Sequence, residues 1–140
     1  MPMIFIGEVL HLTEKSTVSA SIQDYLEAIL NLSEQNSTVR ITDLARSLQI
    51  SKASVTGMVS SMVQQKLIEH NKYGPIALTK AGKDEASNVR YRHKVIKDFL
   101  TRILGVDNKT AEREACRMEH AISFDTTEKL VHFLEKTVKI

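Results

Sequence analysis

Apolar residues recur along most of this chain at intervals of three and four, the period of a helix with one buried face. From residue 22 to about residue 35 the stripe is Ile22, Tyr25, Leu26, Ile29, Leu30 and Leu32, and Ser21 stands where an N-cap belongs. Val39 to Leu48 reads as a second, short helix, with Thr42 as N-cap and Gln49-Ile50 closing it. Ser51 caps a third helix, from Lys52 to about Lys66. Its inward face is Val55, Met58 or Val59, Met62 and Val63, and its outward face is Lys52, Ser54, Thr56, Ser60, Ser61 and Gln64. The pattern then changes: Leu67–His70 and Ile76–Leu78 are β-prone runs around a turn-rich centre, Asn71–Pro75. Thr79 is the N-cap of a long helix from about Lys80 to Leu104, striped by Val89, Val95, Ile96, Phe99, Leu100 and Ile103 and stopped by Gly105. Asp107 or Asn108 caps a helix running to about Ile122. After a turn at Ser123-Phe124-Asp125, a last helix from Thr126 or Thr127 to Thr137 carries Leu130, Val131, Phe133 and Leu134.

The pattern predicts a mainly α protein. Two short helices joined by a tight turn resemble a helix-turn-helix, and a hairpin directly after one is a wing. The third helix opens with small and hydroxyl residues beside a lysine. Small residues let a helix N-terminus approach the DNA backbone, where its N–H groups and dipole attract phosphate. Ser51, Lys52, Ala53, Ser54 and Thr56 are therefore the candidate DNA contacts, with Arg40 and Lys72 as candidate phosphate contacts; Gly57 has no side chain to read a base. The plainer reading is a helical hairpin with a polar outer face, and the wing argues against it.

A net charge of +2 and a pI near 8.7 permit nucleic-acid binding without arguing for it. An apolar fraction of 42% is enough for a packed core, and one cysteine excludes an internal disulfide framework and fits a reducing cytoplasm. The opening run Met1–Gly7 is too short to span a bilayer, and residues 1–20 read as an extra arm. No glycine-rich phosphate loop and no Ser-His-Asp arrangement occurs, and Cys116 with His120 lacks a nearby oxyanion site, so the chain does not read as an enzyme.

The chemistry concentrates in Glu114-Ala115-Cys116-Arg117-Met118-Glu119-His120. Cys116, Glu119 and His120 stand at offsets of zero, three and four, which on a helix makes them neighbours. A thiolate, a carboxylate and an imidazole together suit a borderline transition metal better than calcium or magnesium. Each also has a plain reading: a lone Cys as a small apolar residue, Glu-His as a surface pair, and Asp24 and Glu27 as acidic residues in a first turn.

An N-terminal helix with Asp24-Tyr25-Leu26-Glu27, a winged helix-turn-helix, a long helix with Tyr91-Arg92-His93, and the Cys-x-x-Glu-His stretch occur in that order. Over about residues 20–138 this resembles the diphtheria-toxin-repressor family of metal-dependent transcriptional regulators, including its manganese branch, in the short form without an SH3-like domain. The resemblance implies a winged helix-turn-helix domain, residues 21–82, followed by a helical metal-binding and dimerisation domain, residues 83–140. It implies a principal metal site of Asp24, Cys116, Glu119 and His120, and a partial second site of Glu27 and His93. Asp24 matches the manganese branch and Cys116 the iron branch, so the expected cofactor is manganese or iron, with cobalt, nickel and zinc as alternatives. Lys97 stands where the iron branch pairs its histidine with a glutamate. The implied function is a cytoplasmic homodimeric repressor of metal-homeostasis genes that binds a palindromic operator and no membrane. A MarR-type regulator is the alternative: it shares the wing and the Leu-Thr-x-x-Gly that follows, and would sense an organic ligand or oxidation at Cys116.

Overall fold

A computed structural model describes residues 18–36 and 38–137. The expected N-terminal arm falls, up to residue 17, outside them. Helix α1 spans Ala20–Gln35, α2 Ile41–Leu48 and α3 Lys52–Gln64; strands β1 (Ile68–His70) and β2 (Ile76–Leu78) follow. Helix α4 spans Lys80–Asp98 and continues as a π-helical turn, Phe99–Ile103; α5 spans Asn108–Met118 and α6 Phe124–Thr137. Two compact units divide between Ser87 and Asn88, inside α4.

In the N-terminal unit, α1 starts two residues earlier than its stripe suggests. Ser19, not Ser21, is the N-cap, and its hydroxyl oxygen accepts the Ile22 N–H at 3.3 Å. Val18 packs against the core, so the earlier start buries one more apolar side chain. Leu26, Ile29, Leu44, Val55 and Met62 are fully buried at the centre of this core.

Helix α2 likewise begins at Ile41, with Arg40 as N-cap residue in place of Thr42. The Asp43 carboxylate accepts the Arg40 N–H at 3.0 Å, satisfying a donor at the helix entry. Gln49 ends α2 in the left-handed conformation (φ 58°), and Ile50 N–H closes back on the Ala45 carbonyl at 3.1 Å. This tight exit sets up the turn into α3. Ser51 caps α3 as expected, accepting the Ser54 N–H at 3.1 Å. Val55, Val59 and Met62 face inward, whereas Val63, expected on that face, is exposed.

Strands β1 and β2 form an antiparallel hairpin with Glu69 opposite Ala77, and Val39 adds a bridge to Ile76. The hairpin is thereby tied to the segment before α2 and forms a wing. Thr79 caps α4, accepting the Gly82 N–H at 3.1 Å while its hydroxyl donates to the Lys66 carbonyl at 2.7 Å.

In the C-terminal unit, α4 buries two separate strips. Tyr91 and Val95 pack on Val131 and Leu134 of α6, while Ile96 and Leu100 pack on Ala111 and Ala115 of α5. Small residues at 111 and 115 let α5 come close to α4. The π-helical turn shifts the register at the end of α4: Leu104 N–H reaches back to the Phe99 carbonyl at 3.3 Å, and Gly105 then turns the chain at φ 73°. Helix α5 ends at Met118 rather than near Ile122, and α6 begins at Phe124 with the Ser123 hydroxyl accepting the Thr126 N–H at 3.1 Å.

Candidate metal centre and DNA-binding surface

Within the C-terminal unit, Glu112, Cys116 and Glu119 stand at intervals of four and three on one face of α5 and its last turn. That face meets His93 on α4. One donor atom each from His93, Cys116 and Glu119 falls within 4.8 Å of the others. His93 Nδ1 is 3.0 Å from Glu119 Oε2 and 3.8 Å from the Cys116 sulfur. The sulfur is exposed, while Glu119 is fully buried.

The two Glu119 oxygens look at different histidines. Oε2 meets His93, and Oε1 lies 3.6 Å from His120 Nε2, too far for a hydrogen bond. Glu119 Oε1 is buried without a hydrogen-bond partner. A buried carboxylate oxygen in that state costs about 1–3 kcal/mol, which a cation held there would offset. A sulfur, a nitrogen and a carboxylate oxygen drawn from Cys116, His93 and Glu119 into one small cluster fit a borderline divalent metal. The Arg92 Nε donates to the Glu119 carbonyl at 2.7 Å.

Burial opposes the charged form of His93, but hydrogen bonding to Glu119 dominates, and Glu112 adds to it; together they lift the imidazole from the ordinary 6.5 to about 9. Since the folded value lies above the unfolded one, the stability this group contributes is complete below pH ~6.5 and is lost as pH rises through about 9. The urea midpoint of the metal-free protein should therefore fall between about pH 7 and about pH 9.5, and the His93→Gln protein should show a flatter profile there.

The sequence grouping set Cys116 with Asp24, Glu119 and His120, and His93 with Glu27. In the structure the Cys116 sulfur lies beside His93 and Glu119. Asp24 and Glu27 both belong to the N-terminal unit, on α1, with Asp24 exposed and Glu27 half-buried. Sequence reasoning passed over Glu112, which sits 2.8 Å from His93 Nε2, although it stands one turn before Cys116 on the same helix face.

On the N-terminal unit, Ser51, Lys52, Ala53, Ser54 and Thr56 are all exposed at the start of α3. The Ser51 hydroxyl donates to the Ser54 hydroxyl at 3.0 Å, and the Thr56 hydroxyl donates to the Lys52 carbonyl at 2.8 Å. At the wing, the exposed Arg40 donates through Nη1 to the Tyr73 carbonyl at 3.3 Å, and the Lys72 ammonium lies 5.4 Å from the Tyr73 ring centre. Arg40 thus supports the wing tip as well as presenting charge beside it. No helix among the described residues is long and apolar enough to cross a membrane.

A winged helix-turn-helix followed by a helical unit with a mixed sulfur, nitrogen and oxygen centre is the build of a metal-responsive DNA-binding regulator. Residues 17–76 match the iron-dependent repressor N-terminal DNA-binding domain, and residues 79–139 match the iron-dependent repressor metal-binding and dimerisation domain. An HTH-type transcriptional regulator of Methanocaldococcus jannaschii is 42% identical over 120 residues, covering 85% of this chain and 96% of that one. The HTH-type transcriptional regulator MntR of Bacillus subtilis is 32% identical over 119 residues, covering 83% of each. Among solved structures, the manganese regulator SloR superposes with a TM-score of 0.73 at 30% identity, covering 81% of this chain and 53% of SloR. A manganese-dependent transcriptional repressor in complex with manganese gives a TM-score of 0.75 at 27% identity. The chain spans about half the length of these two structural relatives, 53% and 52%. The chain belongs to the iron-dependent repressor family, also called the diphtheria-toxin-repressor family, of metal-dependent transcriptional regulators.

Proposed function

We propose that this protein is a metal-dependent repressor of manganese- or iron-homeostasis genes, a non-enzymatic regulator that binds a palindromic operator as a homodimer in the cytoplasm. The observation that carries the metal reading is the buried, hydrogen-bond-free Oε1 of Glu119, a residue that groups with Cys116 and His93 and turns that oxygen toward His120. His93, Cys116, Glu119 and His120 would hold the ion from the C-terminal unit, and Asp24, with Glu27 beside it on α1, would complete the coordination from the DNA-binding unit. Thiolate tilts such a site toward ferrous iron over manganese, which prefers oxygen and nitrogen.

Residues 21–82 read DNA in this scheme, and residues 83–140 hold the metal and pair with a second subunit. Leu104, Met118 and Phe133 are large apolar side chains left exposed on the C-terminal unit and suit a two-fold interface. Ligands drawn from both units couple metal to operator by narrowing the range of recognition-helix positions, so DNA binding meets a smaller ordering cost. A coupling of ~1–3 kcal/mol corresponds to ~5–150-fold tighter operator binding.

The test is binding of genomic fragments selected by the protein, after chelation and then with manganese, ferrous iron, cobalt, nickel or zinc restored under reducing conditions. Binding should require metal. Strong binding unchanged by chelation would count against the scheme. Lys52→Ala, removing a phosphate contact at the start of α3, should weaken all fragments similarly and lower the slope of log affinity against log salt by about 0.9 per subunit.

A further inference from the structure

Glu112 lies outside the set of ligands proposed above, yet it is the shortest polar contact of His93. Its Oε2 is 2.8 Å from His93 Nε2, and the Lys97 ammonium holds the same oxygen at 3.2 Å. Lys97 follows His93 by one turn on α4, and Glu112 precedes Cys116 by one turn on α5. Helix α5 and its last turn thus face one side of the imidazole with Cys116 and Glu119 and the other with Glu112, to which α4 adds Lys97. On the metal side, Nδ1 faces the Cys116 sulfur and Glu119. On the far side, Nε2 meets a carboxylate already anchored by a cation.

We infer that Glu112, anchored by Lys97, is a positioning residue that keeps the proton on His93 Nε2 and the ring turned so that Nδ1 is the nitrogen offered to the metal. An imidazole can present either nitrogen, and the hydrogen bond made by the other one decides which. A histidine ligand whose second nitrogen donates to a carboxylate is fixed in tautomer and orientation and becomes a stronger donor. With an ion bound, Nδ1 would offer its lone pair, any proton there passing to solvent, while the Nε2 proton would stay on the ring and be donated to Glu112. Lys97 keeps the Glu112 carboxylate directed at Nε2 rather than at the ion, so Glu112 supports the centre without entering it.

The inference rests on the metal reading and is tested separately from it with the full-length protein. Nitrogen-labelled protein loaded with an NMR-active cadmium isotope should show metal coupling to His93 Nδ1 and a protonated Nε2. Glu112→Ala should weaken cobalt(II) binding by about 10–100-fold. Glu112→Gln, whose amide oxygen accepts the same hydrogen bond, should recover most of that loss, and Lys97→Met should lose only a few-fold, about threefold. Tight binding with cadmium coupled to Nε2 in the unaltered protein overturns this inference and leaves the metal site standing. So does a folded Glu112→Ala protein with unchanged cobalt affinity. If the unaltered protein binds neither metal, the site and this inference fall together. The coupling pattern of the unaltered protein decides the matter even where Glu112→Ala does not fold.

Discussion

Glu119→Ala should lower metal affinity by more than about 100-fold and remove the metal dependence of operator binding. Loss of a residue that only supports a ligand costs about 10–100-fold. Glu119 turns its two oxygens to two proposed ligands, Oε2 to His93 and Oε1 toward His120, so its loss should exceed that range. Glu119→Gln separates shape from charge: it keeps the side chain's volume and one oxygen but removes the negative charge that opposes the ion's, and should fall between the two. The metal-free fold should suffer far less. Removing Glu119 takes away a buried carboxylate with one unsatisfied oxygen, and His93 keeps Glu112 as a partner. A change within about 1–3 kcal/mol is expected from those opposed effects. Calorimetric titration with cobalt or ferrous iron, paired with operator-binding anisotropy, measures both. Metal affinity unaltered in Glu119→Ala would place the ion elsewhere in the protein.

Gly82→Ala should destabilise the N-terminal unit by about 3 kcal/mol or more, at the upper end of overpacking costs. A Cβ at Gly82 would overlap the Leu67 carbonyl oxygen, with the Leu67 carbonyl carbon 3.0 Å away and Leu78 Cδ2 3.3 Å away. The obstacle is backbone and cannot rotate aside. The Leu67 carbonyl accepts the Thr79 N–H at 3.1 Å, and the Thr79 hydroxyl donates to Lys66 at 2.7 Å, so relief would tear the junction that joins α3, the wing and α4. Gly57 is the internal comparison. It lies within α3, and a Cβ there would meet nothing within 4 Å, so Gly57→Ala should be neutral or stabilising by up to about 1 kcal/mol. Urea unfolding of both proteins checks the pair. Equal midpoints would show that the close approach at Gly82 relaxes without cost.

The elements were legible because each depends on neighbours in the chain. The periods of three and four placed α1 to α6, and the caps at Ser51 and Thr79 follow from hydroxyl side chains within reach of their own helix. The wing followed from a break in period around Asn71–Pro75. Boundaries were less legible: α1 begins two residues before the predicted start, at the Ser19 cap, and α5 ends at Met118. Cys116, Glu119 and His120 were recognisable as ligand types in one stretch, and helical spacing predicted all three as neighbours on one face. Which residues meet them was decided only by tertiary structure. Ala111 and Ala115, packed on Ile96 and Leu100, bring α5 against α4, so the Cys116 sulfur lies beside His93 and Glu112 takes the far side of the ring. Spacing along a helix is a property of the backbone and can be counted from the sequence. The approach of two helices depends on how side chains many residues apart interlock, and that exists only in the folded protein.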